Sequence, residues 1–334
     1  MNDSPLKIVF IGRYTEGQTG IVKSIHMGLL ENGYDVHEIN LSLRPKLIYN
    51  PYRNFGGFGP VFVKWDLIKE EVIQFNPDVI IFCAGGLTFP VDILKKLKKY
   101  CTIIGITLSD PDVFPSIKKF AGHFDYHTTN STLAFEQYKQ IGLTNTLYLP
   151  FGIDSRFFTP HDLVEEYRSD VSIIGHYRPN RLELTKSLQQ NFDLKIFGRG
   201  WPIPSEGPVY DEEWFKAMYS TKIIVNFPTT GAGYTNVKVG IFEAAATGRL
   251  IMTEYFDEMK QFFEYEKEIV GYKDKNDLIE KLHYYLANPD EAKMIADAGQ
   301  KRCAVSHTWK NRLNNLLNSI QLTKQPYSWE NYED

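Results

Sequence analysis

The sequence predicts an α/β protein made of two successive units, each a parallel sheet covered by helices on both faces. Three observations carry this. Short runs rich in β-branched and aromatic residues alternate with amphipathic segments of helical period. Strand candidates such as Asp78-Val79-Ile80-Ile81-Phe82-Cys83 lack regular polar alternation, as strands buried on both faces do. The alternation then restarts after Pro150-Phe151-Gly152, in a chain of 334 residues, the length of about two ordinary domains.

In order, residues 7–12 read as a buried strand ending in a turn, 21–31 as a helix stopped by Asn32-Gly33, and 35–41 as a second strand. Helical spacing over 64–75 is ended by Asn76-Pro77. The strand 78–83 follows, then a helix over 91–100, a strand over 101–108 and short strands at 126–129 and 146–149. In the second half, strands are expected at 170–175, 194–198, 222–227, 250–253 and 269–272. Helices are expected at 181–189, 211–218, 237–247, 277–287 and 290–298. Residues 309–320 read as a closing helix and 327–334 as a polar tail. Strand, helix, strand in this rhythm implies right-handed crossovers. The expectation is therefore two Rossmann-like units, 1–152 and 153–308, followed by 309–334, with ligands in a cleft between the carboxyl ends of the two sheets.

Composition narrows the function classes. There are 37 basic and 41 acidic residues, net charge -4, so a broad nucleic-acid footprint is not expected. Three separated cysteines, Cys83, Cys101 and Cys303, form no C-x-x-C pair, which argues against a zinc site or disulfide framework and fits a reducing compartment. The apolar run behind the polar amino terminus stops at Gly12, too short for a signal peptide core, and the run from Val79 to Val91 is too short for a membrane span. A cytoplasmic protein is expected.

Several segments carry candidate chemistry. The loop 12–20 followed by Lys23 lacks the glycine before lysine that a P-loop needs, and does not read G-x-G-x-x-G. Asp110-Pro111-Asp112 is formally D-x-D, open to a metal site or a strand-end turn; under the turn reading Asp110 points toward the cleft as a base or acceptor contact. In the glycine-rich connection 50–60, Tyr52, Phe55 and Phe58 either stack on an acceptor ring or pin a surface loop.

The strongest local signal is Thr229-Thr230-Gly231-Ala232-Gly233-Tyr234-Thr235-Asn236, between a buried strand and a helix. Glycines admit a ligand to the backbone, the helix start offers N–H groups and partial positive charge, and Thr235 or Asn236 is placed to cap it. A diphosphate fits there. Glu243, a carboxylate among Ile241, Phe242 and three alanines, needs a hydrogen-bond partner: ribose hydroxyls or a buried structural bond. Arg178 and Arg181 follow a strand and suit a diphosphate, or in part a surface ion pair. Gly198-Arg199-Gly200-Trp201 is a turn with room for a planar base or a packed Trp. His123 and His127 lack metal spacing and read as core or hinge residues.

The segment Phe242-Glu243-Ala244-Ala245-Ala246-Thr247-Gly248 with Leu250-Ile251-Met252-Thr253 resembles the donor-site signature of GT-B glycosyltransferases, in particular the CgeB-like spore-maturation and "glycosyl transferases group 1" proteins. Leu149-Pro150-Phe151-Gly152-Ile153-Asp154 with Phe158-Thr159-Pro160 resembles the interdomain linker, and Gly271-Tyr272, Gly299 and His307-Thr308-Trp309 resemble the family's carboxy-terminal run. The resemblance covers nearly all of the second half and the first half loosely. It implies a nucleotide-sugar donor held by the second unit and a glycan or other hydroxyl acceptor held by the first. A helix start with an arginine can stabilise the departing diphosphate without a metal, so neither cofactor nor divalent metal is expected. Carried over by position, Glu243 binds the ribose, Gly231, Gly233, Tyr234, Thr235 and Asn236 the diphosphate, and Arg178 or Arg181 its charge, with Gly198 and Lys238 beside them. Asp110 is the candidate catalytic group; Arg13, Tyr14, Gly20, Tyr52 and Phe55 are the candidate acceptor contacts. The chain departs from the E-x7-E pattern, because the earlier Glu falls at Thr235; a retaining course is expected, with sugar and stereochemistry left open.

Overall fold

The computed structural model describes residues 5–15, 20–50, 61–83, 87–88, 90–230 and 233–322. The polar tail expected at 327–334 lies outside them. The amino-terminal unit runs β1 (Lys7–Gly12), α1 (Ile21–Glu31), β2 (Asp35–Asn40), β3 (Ile48–Tyr49), β4 (Val61–Val63), α2 (Lys69–Phe75) and β5 (Val79–Cys83). It continues through β6 (Leu87–Thr88), α3 (Val91–Leu97), β7 (Thr102–Ile106), α4 (Phe114–Ala121), β8 (Tyr126–Thr129), α5 (Thr132–Gln140) and β9 (Thr146–Tyr148). Six of these strands form a parallel sheet in the order β2-β1-β5-β7-β8-β9. The small sheet β3-β4-β6 is an addition that the period of the sequence did not announce. All five residues of β5 are buried, as an unalternating apolar run requires.

The carboxy-terminal unit runs β10 (Ser169–Ile174), α6 (Leu182–Asn191), β11 (Leu194–Phe197), α7 (Asp211–Tyr219), β12 (Thr221–Asn226), α8 (Val239–Ala246) and β13 (Leu250–Glu254). Then come β14 (Val270–Tyr272), α9 (Lys275–Ala287) and α10 (Pro289–Ser306). The five strands are parallel in the order β11-β10-β12-β13-β14. Its core joins inward residues of the sheet, among them Val171, Ile223 and Met252, to Leu278 and Leu282 of α9 and Ile295 of α10.

The last helix, α11 (Trp309–Ser319), groups with the amino-terminal unit: one unit holds Val22–Pro150 with the chain from Trp309, the other Phe151–Thr308. Gly28 makes this possible, since a Cβ there would stand 2.6 Å from the Cβ of Trp309. The Asn32 side chain also donates to the Lys310 carbonyl at 2.8 Å.

Two helices go beyond the sequence expectation. Helices α4 and α5 meet through Ala121, Ala134 and Tyr138 with Phe114, Ile117 and Leu143, and Ser131 caps α5 by accepting from the Ala134 amide at 3.3 Å. Both are short and carry few strong apolar residues, so tertiary contact rather than pattern defines them.

Candidate functional site

In the carboxy-terminal sheet the strand order reverses between β10 and β12, with β11 on one side and β13 on the other. The loops leaving the carboxyl ends of β10 and β12 therefore part from one another and leave a crevice, the place where open α/β sheets take ligands. Arg181 spans these loops. One guanidinium nitrogen donates to the His176 carbonyl after β10 at 3.0 Å and the other to the Thr229 carbonyl after β12 at 3.4 Å. The group lies 5.2 Å from the centre of the Phe227 ring, and its Nε is buried without an acceptor. Burial first, then Arg178, lowers its pKa, while Tyr272 and Glu254 oppose the shift. Glu254, at the end of β13, has its own pKa raised by burial, with Arg181 pulling the other way. A positive charge is thus held at the switch point on carbonyl oxygens rather than on a paired carboxylate. Arg178 lies at the surface, exposed.

The loop after β12 closes on itself. Thr229 bridges Thr235; the Thr230 amide donates to the Tyr234 carbonyl at 2.7 Å, and the Gly233 amide to the Thr230 carbonyl at 3.1 Å. The Tyr234 amide donates to the Thr230 hydroxyl at 3.1 Å and the Asn236 amide to the Pro228 carbonyl at 3.2 Å. Gly233 supplies the left-handed turn, at φ 86°. Gly233, Tyr234 and Thr235 are exposed and Asn236 is buried; Gly231 lies outside the described residues.

These bonds correct the expected helix start. Residues 235–236 do not cap α8, because the bridge and the Asn236 amide keep them extended; the helix begins at Val239, with Lys238 at φ -106° and ψ 143° before it and no side-chain cap. The first bond closing the turn runs from the Ile241 amide to the Lys238 carbonyl at 3.1 Å, so the Val239 and Gly240 amides have no intrahelical acceptor. The open amides therefore stand several residues past the glycines that suggested them.

Glu243 follows Gly240 by one helical turn and shares its face. It is 6% exposed, and among the described residues it makes no hydrogen bond or ion pair. A Cβ on Gly240 would lie 3.9 Å from its Oε2 and 3.5 Å from Nδ2 of Asn226, so helix start, carboxyl group and strand end converge. Burial, reinforced by the buried Asp154, pushes the Glu243 carboxyl up to about 8, against the pull of Arg156. Asp154 is itself held by the Arg156 guanidinium, at 2.8 Å to each oxygen.

Asn226 is the residue the sequence reading passed over. Its Oδ1 is buried without a partner at the carboxyl end of β12, and its carbonyl accepts from the Tyr272 hydroxyl at 3.4 Å. A polar residue closing an apolar strand was the available signal. Gly198, by contrast, is shaped by packing: a Cβ there would stand 2.0 Å from the Gly175 carbonyl oxygen. Beside it Trp201 is 9% exposed and donates to that same oxygen at 3.0 Å, which is the packed-Trp form of this turn.

In the amino-terminal unit, Asp110 is 3% exposed. It accepts from the Thr129 hydroxyl at 2.6 Å, and its amide donates to Oδ1 of Asn130 at 3.1 Å. Burial pushes its carboxyl up to about 6, with Thr129 and Tyr138 lowering it in part. The group thus faces the end of β8. Tyr14 is buried, its hydroxyl donating to Glu38 and meeting Nδ1 of His26 at 2.8 Å; Arg13 is exposed and Gly20 half-buried. His127 is a core residue, bonded to the Thr107 hydroxyl at 2.9 Å and pushed down by burial to about 4. Tyr52, Phe55 and Phe58 lie outside the described residues.

Comparison with known proteins agrees with the resemblance drawn from the sequence. Residues 178–318 match a family described as glycosyl transferase-like. The chain is 24% identical over 271 residues to the spore protein CgeB of Bacillus subtilis (strain 168), a match covering 73% of this chain and 82% of that one. Among solved structures it is similar to a sucrose-phosphate synthase from Thermosynechococcus elongatus, with a TM-score of 0.62 at 13% identity, covering 94% of this chain and 99% of that one. Anabaena HepE in complex with UDP-glucose gives a TM-score of 0.61 at 10% identity, with 94% and 99% covered. The fold is that of GT-B glycosyltransferases. No helix among the described residues is long and apolar enough to cross a membrane.

Proposed function

We propose that this CgeB-like chain of GT-B fold is a glycosyltransferase whose carboxy-terminal unit holds a nucleotide-sugar at the crevice between the ends of β10 and β12. One observation carries the reading: the buried, unpartnered Glu243 carboxyl lies one turn inside a helix whose first amides are open, with the Arg181 charge across the same switch point. A carboxyl so largely buried and without protein donors is a costly arrangement unless a ligand hydroxyl completes it. Ribose hydroxyls supply that chemistry. The solved HepE complex contains UDP-glucose on the same fold, which supports a donor of this class.

Glycosyl transfer needs the departing diphosphate stabilised while positive charge develops on the sugar. The amides of Val239 and Gly240 and the guanidinium of Arg181 suit the first task, and Lys238 immediately precedes the helix. These groups supply positive charge from the protein itself, the basis on which we read transfer as independent of a divalent metal. Asn226 positions the ligand at the strand end. The acceptor is a glycan or another hydroxyl compound taken by the amino-terminal unit, and Asp110 is the candidate base there.

The test is a thermal-shift screen against UDP, GDP, dTDP and CMP, followed by titration of the best ligand into the wild type, Arg181→Ala and Glu243→Ala. Stabilisation by one nucleoside diphosphate, lost in both variants, is expected. Unchanged affinity in both variants removes the site assignment. Incubation of the sugar donor with and without an acceptor panel then separates transfer from isomerisation of the donor or plain binding. The anomeric coupling of the first product reports the expected retention.

A further inference from the structure

A second cavity in the carboxy-terminal unit lies at the opposite, amino-terminal ends of its strands. It has a volume of about 520 Å³ and is floored by Lys222 and Ile223 at the start of β12, Arg249 and Leu250 at the start of β13, and Tyr285 and Ala292 of α9 and α10. Strand β12 separates it from Asn226 by four residues, about 13 Å at the usual rise of a strand. The cavity is thus separate from the donor crevice, and the proposed function does not use it.

The charges around it do not cancel. Lys222 is paired with Asp170 at 2.6 Å, and Lys293 with Asp297 at 2.5 Å. Arg249 has no such partner: among the described residues it donates no hydrogen bond and meets no carboxylate, and its Nε is buried. Its guanidinium lies 5.8 Å from the centre of the Tyr219 ring, so one side rests on an aromatic face while the residue lines the cavity. Arg249 is half-buried; partial burial lowers its pKa, with Tyr219 opposing the shift. The remaining wall is largely apolar, with Ile223, Leu250, Leu286 and Ala296 around the Tyr285 ring.

We infer that this cavity is a binding site for a small organic monoanion, a carboxylate or phosphodiester head on an apolar body, with Arg249 as the anion receptor. One uncompensated positive charge matches one negative charge. A phosphate monoester, carrying nearly two, leaves an excess beside Asp297. The planar guanidinium suits the two oxygens that carboxylates and phosphodiesters share, and the apolar wall takes the body of the ligand. Arg249 follows the end of α8 by way of Thr247 and Gly248, so an occupant touches the loop that closes the helix bearing Glu243.

The probes are octanoate, octyl methyl phosphate, 1-octanol and octylamine, titrated by calorimetry into the intact chain at low salt. Octanoate or octyl methyl phosphate is expected to bind the wild type at least tenfold more tightly than the neutral alcohol or the amine. Arg249→Gln is expected to weaken the anions at least tenfold, and Arg249→Lys to restore part of the loss. Lys293→Gln, whose charge is already paired, changes affinity less than threefold. Ala292→Trp, which fills the cavity, abolishes binding with the thermal unfolding temperature maintained. Failure of both anions to bind, equal binding of octylamine, or full affinity in Arg249→Gln or in Ala292→Trp overturns the assignment. If Arg249→Gln proves unfolded, the filled-cavity variant alone decides.

Discussion

Each unit buries a carboxyl group near the ends of its strands, and the two differ in how they are satisfied. Asp110 is closed into its unit by the Thr129 hydroxyl, while its backbone amide is held by Asn130. Glu243 is nearly as buried, yet protein donors leave it alone, and it shares the surroundings of Gly240 with the Asn226 side chain and the open start of α8. Burial raises both, Asp110 to about 6 and Glu243 to about 8, and the larger rise belongs to the group with fewer hydrogen bonds. A buried acid tied to its neighbours is held in its orientation by the protein itself. One left untied is explained by something that arrives.

Substitutions can break this contrast. The largest effect is expected from Arg181→Ala, which removes the charge from the crevice: nucleotide affinity should fall by about 2–3 kcal/mol, tens- to hundredfold, in calorimetric titration. A comparable loss on Asp110→Ala would erase the contrast, because that change is expected to cost about 2 kcal/mol of stability in urea unfolding, by stranding the Thr129 hydroxyl, and to leave nucleotide affinity alone.

The pH dependence sharpens it further. Glu243 has its folded pKa raised from the ordinary 4.5 to about 8, so between those values the folded state keeps a proton that the unfolded chain has released. Its contribution to stability is therefore greatest below pH 4.5 and is lost as pH rises through 8. Glu243→Gln, neutral at every pH, should show an unfolding temperature that gains on the wild type by several degrees from pH 5 to 9. Curves that stay parallel remove the claim of an unpartnered acid. The smallest effect is expected from Gly240→Ala. The added methyl meets Asn226 Nδ2 at 3.5 Å and Glu243 Oε2 at 3.9 Å, ordinary contacts, so stability should hold while nucleotide affinity falls a fewfold if the ligand approaches that amide.

Much of the fold was legible because buried parallel strands write themselves as apolar runs: 126–129 was expected and is found at Tyr126–Thr129, and 222–227 is found one residue earlier at Thr221–Asn226. The signal of Glu243 was legible for a related reason, since a lone carboxylate in an apolar helix stands out against its neighbours. The start of α8 was not. Whether 235–236 cap a helix or stay extended depends on a bridge to Thr229 and an amide bond to Pro228, partners chosen by how the loop closes. The same holds for Asp110, whose orientation toward Thr129 rather than outward is set by the neighbouring strand, and for Arg249, whose isolation shows only once Lys222 and Lys293 have taken their own acids.

Sequence alone determined which segments are buried strands and helices, and hence two parallel α/β units, because hydrophobic burial acts on local period and composition. Tertiary structure decided which polar groups are satisfied, and therefore which remain for a ligand. Hydrogen bonds and charges are settled between residues far apart in the chain, and only folding brings those partners within a few ångströms of one another.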